Sequence, residues 1–178
     1  MIVLGITGQK GSGKTEVRKY LERTYGFTTV PMADPMKGML ASIGLTQAQL
    51  NGDEKEVPCP LLGGATPRHA MQTLGTEWGR MMVCETLWTE IWGRRVSGMK
   101  CPVVADDVRF ENEFMAVRAL GGKILRVARP GLSDGDQHPS ETMARSLDAD
   151  YGISNHGNNL VALHRSVDQA LHILKLGR

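Results

Sequence analysis

The chain has 178 residues, 41% of them hydrophobic and 22% charged, and its 21 Lys and Arg against 19 Asp and Glu leave a formal charge of +2. That is long enough for one domain with a real core and room for a small inserted lobe, and too apolar for disorder. Near-neutral charge and 5% aromatics argue against general nucleic-acid binding and against stacking on single strands.

Cys59, Cys84 and Cys101 are odd in number and form no Cys-x-x-Cys pair, so neither a disulfide framework nor a structural zinc is indicated, and reduced thiols in a cytoplasm are expected. Met1 to Gly5 lacks the basic start and long apolar stretch of a signal peptide. No apolar run reaches membrane-spanning length.

Ile2 to Ile6 reads as a buried strand leading through a glycine-rich turn into a helix from Lys14 to Tyr25, with Val17, Leu21 and Tyr25 on one face and Gly26 as its stop. Phe27 to Val30 predicts a second strand. Asp34-Pro35 reads as a cap followed by proline at the first helical position, with Met36, Met39, Leu40 and Ile43 as the apolar stripe and Gly44 as the end. Thr46 caps a short helix ending near Asn51-Gly52. Residues 53–65 read as an exposed loop. Thr66-Pro67 starts a largely helical segment reaching Arg95, with breaks expected at Gly75 and Gly79. Trp78, Trp88 and Trp92 fall at helical spacing and are read as core.

Pro102 to Asp106 predicts a third strand, Glu111 to Leu120 a helix, Lys123 to Ala128 a fourth strand and Tyr151 to Ser154 a short fifth. Residues 130–141 read as a polar loop or lid. Leu160, Leu163, Val167, Leu171 and Leu174 mark a final amphipathic helix. Strands separated by helices predict a three-layer α/β fold with a parallel sheet of about five strands. Ligands then belong at the carboxyl ends of the strands, after Ile6, Val30, Asp106 and Ala128.

Gly8-Gln9-Lys10-Gly11-Ser12-Gly13-Lys14-Thr15 matches the phosphate-binding loop at every fixed position and lies between a strand and a helix. Its glycines let backbone N–H groups surround phosphate oxygens, and the helix adds the positive end of its dipole. Lys14 can reach the β- and γ-phosphates, and the Thr15 hydroxyl can ligate Mg²⁺. A carboxylate at the end of the third strand, Asp106 or Asp107, can support that ion or act in catalysis, although acidic residues also favour a helix start for its own sake. Further phosphate ligands would come from Lys37, Arg68, Arg80, Arg109, Arg126 and Arg129, each taken singly more often a solvated surface charge. His138-Pro139-Ser140-Glu141 shows no nucleophile elbow and reads as part of the loop.

These blocks together resemble the bacteriophage deoxynucleoside monophosphate kinases, within the nucleoside monophosphate kinase group of phosphate-loop enzymes. The likeness rests on Gly8 to Thr15, Ala33 to Lys37, the long block Thr66 to Arg80, and Asp106 to Phe110 with Asn112-Glu113. Arg129-Pro130-Gly131, His138 with Ser140-Glu141, and Ile153-Ser154-Asn155 also match. The resemblance implies a phosphate-loop kinase fold with a helical monophosphate-binding region inserted at about 34–98 and a lid at about 130–141. It implies transfer of the ATP γ-phosphoryl to a deoxynucleoside monophosphate, with Mg²⁺ as cofactor.

Carried over position by position, Gly11, Ser12, Gly13, Lys14 and Thr15 hold ATP phosphates. Lys37 and Arg68 grip the acceptor phosphate, and the stretch from Gln72 to Trp78 borders its base. Arg109 and Arg129 neutralise the transferring group, and Asn155 to Gly157 lies near the adenine. The catalytic set is Lys14, Arg109, Arg129 and Asp107, with Thr15 and Asp106 on the metal. Two departures stand out: residues 130–141 contain no arginine, and His156 stands where an acidic residue is expected. The expected partners are small-molecule nucleotides rather than nucleic acid or membrane, in a cytoplasm (the host's for a phage protein), with the oligomeric state open and a homodimer allowed. The alternatives are another small-molecule kinase of this fold, such as a dephospho-coenzyme A kinase, and a nucleotide-gated switch with no small-molecule acceptor.

Overall fold

A computed structural model describes residues 1–132, 148–157 and 159–176. The elements in chain order begin with β1 (Val3–Thr7), α1 (Lys14–Tyr25), β2 (Thr28–Thr29), α2 (Asp34–Ser42), α3 (Gln47–Asn51) and α4 (Pro67–Gln72). A wide helix (Thr73–Val83), α5 (Leu87–Ser97), β3 (Val103–Ala105), α6 (Glu111–Ala119), β4 (Lys123–Ala128), β5 (Tyr151–Ser154) and α7 (Leu160–Ile173) follow. Most of the expected lid, with His138, Ser140 and Glu141, lies outside the described residues.

The five strands form one sheet in the order β2-β3-β1-β4-β5, and every pairing is parallel. Central β1 is buried along its whole length, which is why its sequence is a continuous apolar run. Its alternate residues serve the two faces. Leu4 and Ile6 join Val17 and Leu21 of α1, Leu125 and Val127 of β4, and Leu163, Val167 and Leu171 of α7 in one core. On the other face, Gly5 leaves room for Ile124, Val108 and Val117.

The chain divides into two compact units, Met1–Pro31 with Trp92–Arg178, and Met32–Ile91. The first holds the sheet. Trp92 is buried there, and its indole N–H donates to the Val30 carbonyl at 2.8 Å. The second unit has its own core of Leu40, Leu45 and Leu50, backed by Leu62, Ala70, Met71 and Leu74.

Local differences from the sequence expectations have simple causes. Asp34 is the first residue of α2 rather than its cap; Ala33 occupies the cap position and offers no side-chain bond. Only Leu40 of the expected α2 stripe is buried, while Met39 and Ile43 are exposed. Residues 53–65 contain two short 3₁₀ turns (Asp53–Glu56 and Pro60–Leu62) and bury Cys59, so they are not a plain exposed loop. Gly75 and Gly79 do not break their helix. The coil widens through both glycines, and the Cys84 N–H closes it on the Gly79 carbonyl five residues back, at 3.0 Å. The glycines are there for packing: a Cβ on Gly79 would lie 2.5 Å from the Trp88 ring and one on Gly75 would lie 2.9 Å from Met36 Sδ. Trp88 is buried and its indole donates to the Gly75 carbonyl at 2.8 Å, whereas Trp78 is 39% exposed and so is not core.

Candidate active site

The segment from Gly8 to Thr15 links the carboxyl end of β1 to the amino end of α1. Gly8, Gly11 and Gly13 have φ of +145°, +81° and +107°, values that L side chains rarely adopt. Space is as restrictive as torsion, since a Cβ on Gly8 would sit 2.2 Å from the Val127 carbonyl oxygen and one on Gly13 2.3 Å from Asn155 Nδ2. Gly13 precedes α1 without any side-chain cap, so the first N–H groups of a twelve-residue helix face the loop uncapped by a side chain.

Lys14 Nζ donates to the carbonyls of Gly8 and Gln9, to the latter at 2.8 Å, and so folds over its own loop. Thr15 is exposed on the first turn of α1. Among the described residues, the buried side-chain oxygens with no hydrogen-bond partner are Thr7 Oγ1 and Ser12 Oγ. Both belong to this strand-to-helix passage. A buried hydroxyl without a partner costs about 1–3 kcal/mol, and such a group at a strand-to-helix loop calls for an explanation.

The carboxyl end of β3 delivers Asp106 and Asp107, both half-buried. Arg18, one turn into α1, brings its Nε to 3.0 Å from Asp106 Oδ2 while its Nη1 bonds Glu22 Oε2 at 2.8 Å. Glu22 also accepts from the Thr29 hydroxyl on β2. Buried Glu113 then shapes the turn that follows: its Oε2 accepts from the Arg109 N–H at 2.6 Å and the Phe110 N–H at 3.1 Å. Phe110 has no side-chain oxygen with which to cap α6, and the carboxylate three residues on does the work instead.

At the ends of β4 and β5, Arg129 and the turn Asn155-His156-Gly157 meet. The Asn155 N–H donates to the Ala128 carbonyl at 2.7 Å, its Nδ2 donates to the Ser12 carbonyl at 2.9 Å, and its Oδ1 accepts from the Gly157 N–H at 3.0 Å. Gly157 has φ +83°, and a Cβ there would lie 2.7 Å from Arg129 Nη2. Thus Arg129 packs closely on this turn.

The remaining expected residues lie in the second unit. Lys37 on α2 donates to Asn51 Oδ1 at 2.8 Å, and Arg68 in the first turn of α4 pairs with Glu56. Thr66 caps α4 by accepting from the His69 N–H at 3.1 Å. Gln72 ends α4 half-buried, and Trp78 stands on the wide helix with its ring 6.3 Å from that of Trp88. Helices with five-residue closure are rare and recur at functional sites.

Sequence reasoning missed Arg18 and the role of Glu113. The glutamate had a readable signal, an acidic residue three positions into a helix whose cap has no oxygen. Arg18 had none, because only the fold brings α1 beside the end of β3. For a hard divalent cation the donors here fit, namely one hydroxyl and two carboxylates. Among the described residues no group of three or more His, Cys, Asp and Glu gathers into a self-sufficient metal centre. Such a cation would therefore depend on ligand oxygens from a phosphate chain as well. Also among the described residues, no helix is long and apolar enough to cross a membrane.

The family model for deoxynucleotide monophosphate kinase matches residues 64–166. A protein of Acanthamoeba polyphaga mimivirus, provisionally named a deoxynucleotide monophosphate kinase, is 36% identical over 163 residues, which is 83% of this chain and 84% of that one. This chain belongs to the deoxynucleotide monophosphate kinase family. The deoxynucleotide monophosphate kinase of Enterobacteria phage T4 is 30% identical over 112 residues, covering 60% of this chain but 46% of the T4 protein. The chain therefore matches only about half of that relative's length.

Among solved structures, the shikimate kinase of Aquifex aeolicus superposes with a TM-score of 0.59 at 12% identity, over 99% of both chains. That of Bacteroides thetaiotaomicron superposes at 0.51 and 15%, over 98% of this chain and 99% of the other. At such identities the likeness carries the fold alone. The family match also covers the two carboxylates, Glu113 and Asn155, and begins just ahead of α4 and the wide helix.

Proposed function

We propose that this member of the family transfers the γ-phosphoryl group of ATP to a deoxynucleoside monophosphate, giving the diphosphate. The observation that carries the reading is the loop from Gly8 to Thr15. Three left-handed glycines, an uncapped helix start, a buried unpartnered hydroxyl at Ser12 and an ammonium folded over the loop belong to one strand-to-helix passage. Gly11, Ser12, Gly13, Lys14 and Thr15 hold the phosphates of ATP. The Lys14 ammonium exchanges the Gly8 and Gln9 carbonyls for β- and γ-phosphate oxygens. The turn from Asn155 to Gly157 borders the adenine.

In the second unit, Lys37 and Arg68 bind the acceptor phosphate, and Gln72 and Trp78 border its base. Their present partners, Asn51 and Glu56, are side chains on the same unit that release them for a phosphate. The attacking oxygen is a phosphate oxygen already anionic near neutral pH, so the chain needs no strong base. What it must supply is positioning and positive charge along the line of transfer, and in this reading Arg109 and Arg129 serve that task, Glu113 holding the Arg109 backbone N–H and the Arg129 guanidinium lying against the Gly157 turn. Mg²⁺, held by Thr15 with Asp106 or Asp107 in support, supplies charge neutralisation on the β- and γ-phosphates when bound.

A coupled assay with ATP, Mg²⁺ and a panel of the four common deoxynucleoside monophosphates, modified variants and their ribose forms tests the reading. Diphosphate formation from at least one deoxynucleotide is the expected result. ATP turnover indifferent to every acceptor would overturn it.

A further inference from the structure

Family resemblance puts Asn155 beside the ATP base, but its polar atoms point elsewhere. The residue is 9% exposed and engaged on three sides: backbone N–H to Ala128, Nδ2 to the Ser12 carbonyl, Oδ1 from the Gly157 N–H. Its amide lies so close to Gly13 that any Cβ there would come within 2.3 Å of Nδ2. One residue, by backbone and side chain together, therefore ties the ends of β4 and β5 to the phosphate loop. We propose that Asn155 is a positioning residue for the triphosphate, acting through the Ser12–Gly13 peptide rather than by touching the base. The inference rests on the donor-nucleotide site proposed above.

The physical link is the planarity of the peptide. In a trans amide the carbonyl of Ser12 and the N–H of Gly13 point in opposite directions. Holding the Ser12 oxygen at 2.9 Å therefore turns the Gly13 N–H away from Asn155 and fixes its direction. Gly13 has φ +107° and no Cβ to restrain it, so without that bond this peptide plane could rotate at little cost. A rotated plane would present a carbonyl dipole where a phosphate oxygen needs a donor. Because Asn155 also caps the Gly157 N–H, the base-side turn and the phosphate loop share one anchor.

Inorganic tripolyphosphate separates the two roles, since it has the tail of ATP and no base. Its binding and that of ATP are measured by calorimetry on the full chain as wild type, Asn155→Asp and Asn155→Ala. Asn155→Asp keeps an acceptor for Gly157 and sets an anionic oxygen against the Ser12 carbonyl. Both variants should weaken tripolyphosphate about tenfold, and ATP by the same factor. Unchanged tripolyphosphate binding, with ATP weakened or not, would overturn the proposal. Should either variant fail to fold, NMR of the wild type decides: the Gly13 N–H and Asn155 side-chain amide signals should shift with tripolyphosphate, and a Gly13 N–H unmoved by bound tripolyphosphate would refute it. A wild-type protein that binds no tripolyphosphate would remove the donor site itself, a different failure from variants that bind it normally.

Discussion

Glu113 offers the sharpest test of how the turn after β3, proposed above to carry catalytic residues, is held. It is a buried glutamate whose Oε2 takes two backbone N–H groups, from Arg109 at 2.6 Å and Phe110 at 3.1 Å. Glu113→Ala strands both donors. Each stranded group costs about 1–3 kcal/mol, less where water can reach it, and both residues are half-buried, so a loss of about 2–4 kcal/mol is expected. At this chain length that lowers the melting temperature by roughly 5–15 °C. Glu113→Gln keeps an oxygen able to receive both bonds and loses only the assistance of charge, a cost of about 1 kcal/mol. Activity should follow the same order, because Arg109 is displaced with its turn: Ala about tenfold or more down in kcat, Gln close to wild type. Circular-dichroism melts and steady-state kinetics on the two variants measure both quantities. Equal, small losses for Ala and Gln would refute the reasoning, since the turn would then stand without its acceptor.

Other expectations are as direct. Lys14→Ala should cut phosphoryl transfer by about 10²–10³-fold with an unchanged melting curve, read by the coupled assay and circular dichroism. Gly79→Ala, which places a methyl 2.5 Å from the Trp88 ring, should destabilise by about 1–3 kcal/mol and shift Trp fluorescence; wild-type stability would show that the wide helix yields freely. The Tyr25 hydroxyl donates to Asp168 Oδ1 at 2.7 Å, and that bond, burial and the carboxylate's charge push its pKa up to about 12. A raised folded-state pKa means the contribution is complete below the tyrosine's ordinary value of 10.0 and is lost as pH climbs towards about 12. Denaturant unfolding across that window should show stability falling in the wild type and a flatter profile in Tyr25→Phe.

Much of the sheet unit was legible because its signals are local and redundant. α1, β4 and β5 run between the residues read from sequence, since α1 carries one apolar face and ends at Gly26, while the two strands are short runs set off by Gly121-Gly122 or by polar flanks. The phosphate loop was equally plain, as its glycines are demanded both by torsion and by neighbours. The second unit was read less well. Helical periodicity assumes that an apolar stripe is covered, and Met39 and Ile43 are not. Glycine propensity points to a helix break at Gly79, where the missing side chain instead admits Trp88, a contact formed across nine residues that no propensity records. Arg18 and Asp106 lie 88 positions apart, and only the order of strands in the sheet makes them neighbours.

The hierarchy of forces on α1 explains how a loop so poor in side chains can be stiff. Val17 and Leu21 are fully buried, and burial of such side chains is worth about 1.5–3 kcal/mol each. The Arg18–Asp106 pair is only about a fifth exposed on both sides, so desolvation offsets much of its attraction and its net contribution is small beside the core's. The core thus fixes where the helix lies, and the ion pair fixes how Asp106 is turned relative to it. At the far end, Tyr20 and Tyr25 both donate to Asp168 on α7, at 2.8 and 2.7 Å, which resists rotation about the helix axis. With axis and rotation set by contacts away from the loop, the start of α1 after Gly13, which has no side-chain cap, is held without help from a nucleotide. With the phosphates bound as proposed, their binding energy is then free for charge that develops during transfer, which is where it accelerates a reaction.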